Sequence, residues 1–169
     1  MNQTDFLKVV LPFKDKVYRL AKRLLVSSEE AEDATQELFL KLWNKKEKIK
    51  EYKNVEAFAM TMTKNYCFDR LKSKQASNLS LVHSNYTAKD GSLEKKVEQK
   101  DSVSIVHQLI NNLPEQQKMI IQLRDIEEYD FDEICKVLDM KPTAVRVALS
   151  RARKSIREAL IKEHAYGVS

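Results

Sequence analysis

Asp130-Phe131-Asp132-Glu133-Ile134-Cys135-Lys136-Val137-Leu138-Asp139-Met140-Lys141-Pro142-Thr143-Ala144-Val145-Arg146-Val147-Ala148-Leu149-Ser150-Arg151-Ala152-Arg153-Lys154 is the stretch that decides the fold. Its first part reads as a short amphipathic helix. Asp130 is the N-cap, and Phe131, Ile134, Cys135 and Leu138 face inward. Asp139-Met140-Lys141 is a tight turn. Pro142 suits the first position of a second helix, predicted to run to about Ile161. Val145, Leu149, Ala152 and Ile156 give this helix an inner face. Thr143, Arg146, Val147, Ser150, Arg151, Arg153 and Lys154 are left outside. A short helix, a tight turn and a basic helix together have the layout of a helix-turn-helix. Such a helix presents donors to base edges: arginine can grip guanine through two N–H groups, and further Arg and Lys meet phosphates. The competing reading is a basic amphipathic helix with no nucleic-acid role.

Upstream, Leu113-Pro114-Glu115 restarts the chain, with Pro114 read as the first helical residue; Met119, Ile120, Leu123 and Arg124 continue that helix. Before it, Val103, Val106, His107 and Ile110 share one face of a helix ending near Asn112. Residues 75–100 are rich in Ser, Asn, Gln and Lys with weak periodicity, and read as a linker grading into a helix near Ser92. In the first third, Phe6, Val9, Val10, Phe13, Val17, Leu20, Ala21, Leu24 and Leu25 recur at helical spacing, with Pro12 expected to kink or restart the helix. Ser27 and Glu30 read as a capping box opening a helix over about Glu29–Lys46, striped by Ala31, Ala34, Leu38 and Leu42. A basic loop, Lys45 to Lys53, follows. Asn54 is the expected N-cap of a third helix, about Val55 to Lys74, with Phe58, Met62, Tyr66 or Cys67, and Leu71 inward. The fold expected is all-α: two small helical domains joined by a flexible linker, the second containing the helix-turn-helix. The boundaries are 1–74, 75–100 and 101–169.

Composition narrows the function. The 169 residues hold only 2 Gly and 3 Pro, where average usage gives about twelve and eight. Gly91 and Gly167 stand alone, so a glycine-rich phosphate loop or dinucleotide fingerprint is excluded. His83, His107 and His164 are too dispersed for a zinc motif. Cys67 and Cys135 read as free thiols of a reducing compartment. No cofactor, metal, small-molecule substrate or catalytic residue is expected. No apolar stretch approaches a signal peptide or a membrane span, so a cytoplasmic protein is expected. The net charge is +5, but it is unevenly spread: residues 41–75 carry +6 and 141–169 carry +5, while 76–140 carry −5. Two separated basic blocks fit two separate anionic contacts.

Leu113-Pro114-Glu115-Gln116-Gln117, Leu123-Arg124-Asp125-Ile126-Glu127, Phe131-Asp132-Glu133-Ile134 and Ser150-Arg151-Ala152-Arg153 form one ordered string. It resembles domain 4 of bacterial RNA polymerase sigma factors of the extracytoplasmic-function (ECF) group, in the sigma-70 family. Glu32-Asp33-Ala34-Thr35-Gln36-Glu37-Leu38-Phe39-Leu40-Lys41-Leu42-Trp43 resembles the polymerase-binding helix of domain 2. Lys64-Asn65-Tyr66-Cys67-Phe68-Asp69-Arg70-Leu71-Lys72 resembles its promoter-melting helix. The resemblance implies that Asp33, Gln36, Glu37, Leu40 and Trp43 dock on core RNA polymerase. It implies that Lys50, Lys53, Asn54, Lys64, Asn65, Asp69, Arg70 and Lys72 hold the melted minus-ten element. Thr143, Arg146, Val147, Ser150, Arg151, Arg153 and Lys154 would read the minus-thirty-five element in duplex promoter DNA. The resemblance also implies an anti-sigma factor as a further partner. The alternative function is a stand-alone helix-turn-helix regulator that binds operator DNA as a dimer.

Overall fold

The computed structural model describes the backbone of residues 1–82 and 102–167, and every regular element among them is a helix. The first is α1, Gln3–Leu25. Asn2 caps it by accepting from the Asp5 N–H at 2.8 Å. Pro12 does not restart the helix, which continues through it as one element. Proline removes one N–H, whereas Phe6, Val10, Phe13, Val17, Leu20 and Leu24 form one unbroken buried stripe on both sides of it. Packing along that stripe outweighs the missing bond. The helix ends at Val26, whose left-handed φ of 54° turns its N–H back to Lys22 O.

Helix α2 spans Ser28–Asn44, ending short of the expected Lys46. Ser27 Oγ accepts from the Glu30 N–H at 3.2 Å, as expected of the cap. The Glu30 carboxylate instead reaches across to the next long helix, accepting from Arg70 Nε at 3.2 Å and Lys74 Nζ at 2.6 Å. The stretch read as a basic loop contains a single helical turn, α3 (Lys46–Ile49), pinned by the buried Ile49.

Helix α4, Val55–Val82, is capped by Asn54, whose Oδ1 accepts from the Ala57 N–H at 2.9 Å. Its buried stripe is Ala59, Met60, Thr63 and Cys67. Of the inner residues expected, Cys67 is buried, while Phe58, Met62, Tyr66 and Leu71 are half-buried at the margin. Ala59 and Thr63 are small enough to let the helices approach, and the Thr63 hydroxyl is satisfied by Ala59 O at 2.8 Å. The helix continues past Lys74 to Val82, into the stretch read as linker. No Gly or Pro lies between Asn54 and Gly91 to stop it. The expected helix start near Ser92 lies outside the described residues.

The second half contains α5 (Ser102–Asn111), α6 (Glu115–Ile121) running into a π-helical turn over Gln122–Ile126, α7 (Phe131–Leu138) and α8 (Pro142–Gly167). On α5 only Ile110 of the expected face is buried; Val103 is 64% exposed. Pro114 sits one position earlier than expected, as the cap before Glu115. Asp130 caps α7 reciprocally with Glu133: each side chain accepts from the other's N–H, at 2.8 and 3.2 Å. Ile134 and Val137 are buried there, while Phe131, Cys135 and Leu138 are half-buried. Asp139 takes a left-handed φ of 55° and closes the turn. Helix α8 buries Val145, Ala148, Leu149 and Ala152, and runs beyond the expected Ile161 to Gly167.

The largest apolar cluster joins Leu20, Leu24, Leu38, Leu42 and Met60 of the first half to Met119, Leu123, Ile134, Val137 and Val145 of the second. A smaller one, with Ile110, Ile120, Ile121, Ala148, Leu149 and Ala152, holds α5 and α6 to α8. Leu38 is 1% exposed and Leu40, two residues along the same helix, is 58% exposed. Leu38→Ala is expected to destabilise the fold by about 2–5 kcal/mol in urea unfolding, and Leu40→Ala by less than about 0.5 kcal/mol.

Candidate nucleic-acid and polymerase interfaces

The outer face of α8 is set by its inner one. With Val145, Leu149 and Ala152 buried against α6 and α7, Thr143, Arg146, Val147, Ser150, Arg151, Arg153 and Lys154 all come out exposed. The Arg146 guanidinium lies 5.3 Å from the Phe131 ring centre, and Arg124 lies 4.5 Å from the same ring. Phe131 thus carries two cations at the edge of the helix-turn-helix. Arg124 also donates to Tyr129 O at 2.9 Å. Arg153 points to the flank rather than along the outer face: its Nε donates to Asp125 Oδ2 at 3.1 Å, and this partner raises its pKa. A hollow of about 300 Å³ beside it is lined by Phe131, Arg146, Leu149, Ser150, Arg153 and Arg157. Arg124 and Arg157 are not among the residues expected from the sequence to contact the minus-thirty-five element. Arg157, three and four residues beyond Lys154 and Arg153, was legible from helical spacing; the placement of Arg124 depends on the π turn.

On α2, Asp33, Gln36, Glu37 and Leu40 form one exposed stripe. Trp43 at its end is half-buried. It meets Phe6 edge-on at 5.1 Å, while Lys46 Nζ stands 3.9 Å from its ring centre. Trp43 therefore belongs to the core and to the surface at once. An exposed leucine on a carboxylate-flanked stripe, backed by an aromatic ring, suits a protein partner better than DNA.

The residues expected to hold the minus-ten element are split. Asn65, Asp69 and Lys72 share one exposed face of α4, and Lys53 is exposed in the preceding loop. Lys50 is paired with Glu47 at 3.1 Å. Arg70 is held by Glu30, which raises its pKa. Asn54 is occupied as the α4 cap, with its Nδ2 3.5 Å from Glu133 Oε2. Lys64 is turned into the join with the second half and donates to Val137 O at 2.8 Å, and burial lowers its pKa. Among the described residues no three His, Cys, Asp or Glu side chains are placed to hold a metal ion, and no helix is long and apolar enough to cross a membrane. Cys67 and Cys135 are free, and burial pushes the Cys67 thiol up to about 12.

Comparison with known proteins gives the family. The family description "Sigma-70 region 2" matches residues 9–77, and "Sigma-70, region 4" matches residues 104–156. The ECF RNA polymerase sigma factor SigW of Bacillus subtilis is 26% identical, with 94% of this chain and 90% of that protein aligned. The ECF RNA polymerase sigma-E factor of Escherichia coli K12 is 25% identical over 92% of this chain and 86% of that protein. Among solved structures, the sigma factor RpoE in complex with the anti-sigma factor NepR from Bartonella quintana superposes with a TM-score of 0.74 at 18% identity, covering 92% of this chain and 96% of that one. CnrH in complex with the cytosolic domain of CnrY gives 0.68 at 18% identity, covering 95% and 90%. An all-helical subunit that directs transcription initiation without being an enzyme is the class these findings define. The chain belongs to the sigma-70 family of RNA polymerase sigma factors, in its extracytoplasmic-function group. That membership decides against the stand-alone operator-binding regulator.

The tie between α2 and α4 gives a pH test. The hydrogen bond from Lys74, and then that from Arg70, holds the Glu30 carboxyl below its ordinary value. Its stabilisation is present above that ordinary value and is lost as pH falls through the lower, folded-state one. Glu30→Gln should be less stable than the parent at pH 7, by under about 1 kcal/mol. The gap should close below about pH 4.5 in thermal melts taken across the pH range.

Proposed function

We propose a division of labour among three surfaces of this sigma factor. The stripe of Asp33, Gln36, Glu37, Leu40 and Trp43 on α2 docks on core RNA polymerase. Lys53, Asn65, Asp69 and Lys72, joined by Lys50, Asn54, Lys64 and Arg70 once their present partners release them, hold the melted minus-ten strand. Thr143, Arg146, Val147, Ser150, Arg151 and Lys154 read the minus-thirty-five duplex, with Arg153 steadying the flank. The domain boundaries follow the two basic blocks, with 1–74 acting on polymerase and the minus-ten element and 101–169 on the minus-thirty-five element. The observation that carries the reading is the exposed, cation-bearing face of α8, backed by buried Val145, Leu149 and Ala152 and preceded by the capped helix α7. Its solved structural relatives were captured with the anti-sigma factor NepR and with CnrY. A protein partner of that class is proposed here too. The protein works where polymerase works, in the bacterial cytoplasm.

Transcription from purified core polymerase plus this protein, with start sites mapped genome-wide, is the direct test. Leu40→Ala should lower affinity for core polymerase while leaving the fold intact. Arg151→Ala should weaken holoenzyme binding to its promoters by about 1–3 kcal/mol and relax the preferred base at one minus-thirty-five position. Lys154→Ala should weaken all sequences alike and lower the salt slope by about one. Core enzyme that starts no transcript on any promoter of the native genome when this protein is added would overturn the reading.

A further inference from the structure

A cavity of about 530 Å³ opens between α1 on one side and α5 with the π turn on the other. That volume is within the range of small-molecule sites, about 300–1,000 Å³. Arg19, Lys22 and Arg23 line the α1 wall, and His107, Asn111 and Gln122 line the facing one. Positions three and four apart share one helix face, so Lys22 and Arg23 both neighbour Arg19. No Asp or Glu lines the cavity among the described residues.

The three cations are unequally satisfied. Arg19 is neutralised, because its Nε and Nη2 each donate to the Glu127 carboxylate at 2.7 Å. Arg23 is only 8% exposed and bonds to neutral acceptors. Its Nε donates to Gln122 Oε1 at 2.8 Å, and its Nη1 to Asn111 Oδ1 at 2.8 Å and His107 O at 3.4 Å. Its Nη2 donates to His107 Nδ1 at 2.7 Å. A guanidinium has five N–H groups, so one on Nη2 is left over. The charge itself is uncompensated, and burial lowers the Arg23 pKa. Lys22 is exposed and makes no ion pair among the described residues. His107 feels both cations: burial first, then the charges of Arg23 and Lys22, lowers its pKa.

This arrangement selects the ligand. A carboxylate is best gripped by two parallel N–H groups of an arginine fork. The neutral acceptors leave no such pair open on Arg23. A phosphate oxygen needs only single donors from separate side chains, and a lysine serves it as a point charge. A diphosphate carries enough negative charge to answer Arg23 and Lys22 together. We propose that the cavity binds a diphosphate group, free or carried by a nucleoside, between Lys22 and Arg23 of α1 and the facing wall of α5. Bound there, the anion touches both helices and stabilises the chain by mass action.

The test uses the full-length chain without polymerase or DNA, at fixed ionic strength. Pyrophosphate and ADP are titrated by calorimetry, with inorganic phosphate as the single-phosphate comparison. Pyrophosphate should bind one site per chain with a dissociation constant below about 1 mM, at least about 10-fold tighter than inorganic phosphate. ADP that matches pyrophosphate assigns the site to the nucleoside-borne group, and ADP that binds more weakly assigns it to the free anion. Lys22→Gln should weaken pyrophosphate about 10-fold, the loss of one charge-assisted hydrogen bond. Lys162→Gln removes the same charge from an exposed position on α8 and should leave binding unchanged. Lysine acylation read by mass spectrometry locates the anion. At ten times the dissociation constant about nine sites in ten are filled, and Lys22 should then react several-fold more slowly while Lys162 reacts as before. Four results would each overturn the proposal: no pyrophosphate binding tighter than about 1 mM, inorganic phosphate that binds equally well, equal losses in the two lysine variants, or a loss with Arg151→Ala but not with Lys22→Gln. The last would place the anion on the outer face of α8.

Discussion

Val17, Leu20 and Ala21 are fully buried and place the middle of α1 against α2 and α4 at once. Buried side chains the size of Val17 and Leu20 each contribute about 1.5–3 kcal/mol, and among the described residues the α1 stripe supplies more of them than any other helix. Everything else is hung on this contact. Helix α2 cannot expose Asp33, Gln36, Glu37 and Leu40 together unless Ala31, Ala34 and Leu38 are held on the other side. Helix α4 takes its direction from the small residues that let it close on α1. Arg19 and Arg23 leave α1 on the edge that remains, so the helix that organises the first half also fixes where the second half rests.

The sequence was most legible where one physical signal dominated. The helix-turn-helix needed only a capping aspartate, a proline at a helix start and an apolar stripe, and Asp130, Pro142 and Val145 behave as those signals say. The outer face of α8 followed from its inner face by elimination. Helix ends were harder. The α4 run from Asn54 onward contains no breaker, so composition rich in Ser and Asn suggested a linker where the backbone continues as helix to Val82. The inward register of α4 is carried by Ala59, Met60, Thr63 and the expected Cys67, while the large Phe58, Met62, Tyr66 and Leu71 pack at its margin.

Tertiary contacts decided the rest. Nothing local marks Lys64 as different from Lys72, yet one is turned into the join between the halves and the other is exposed. Nothing local joins Arg19 to Glu127, 108 residues away in sequence. Arg153 sits in the same basic run as Arg151, but Asp125 claims it. Charge counting can find a basic block, while only the folded chain shows which of its cations are already engaged.

Trp43 is the single tryptophan of the chain, and it lies at the end of the stripe assigned to polymerase, between the Phe6 ring and the Lys46 ammonium. Indole emission responds to local polarity and to nearby charge. The protein therefore carries an intrinsic optical reporter on the surface proposed to dock on polymerase. Its colour and intensity should follow the first encounter with the transcription machinery in real time, with no label attached and no residue replaced.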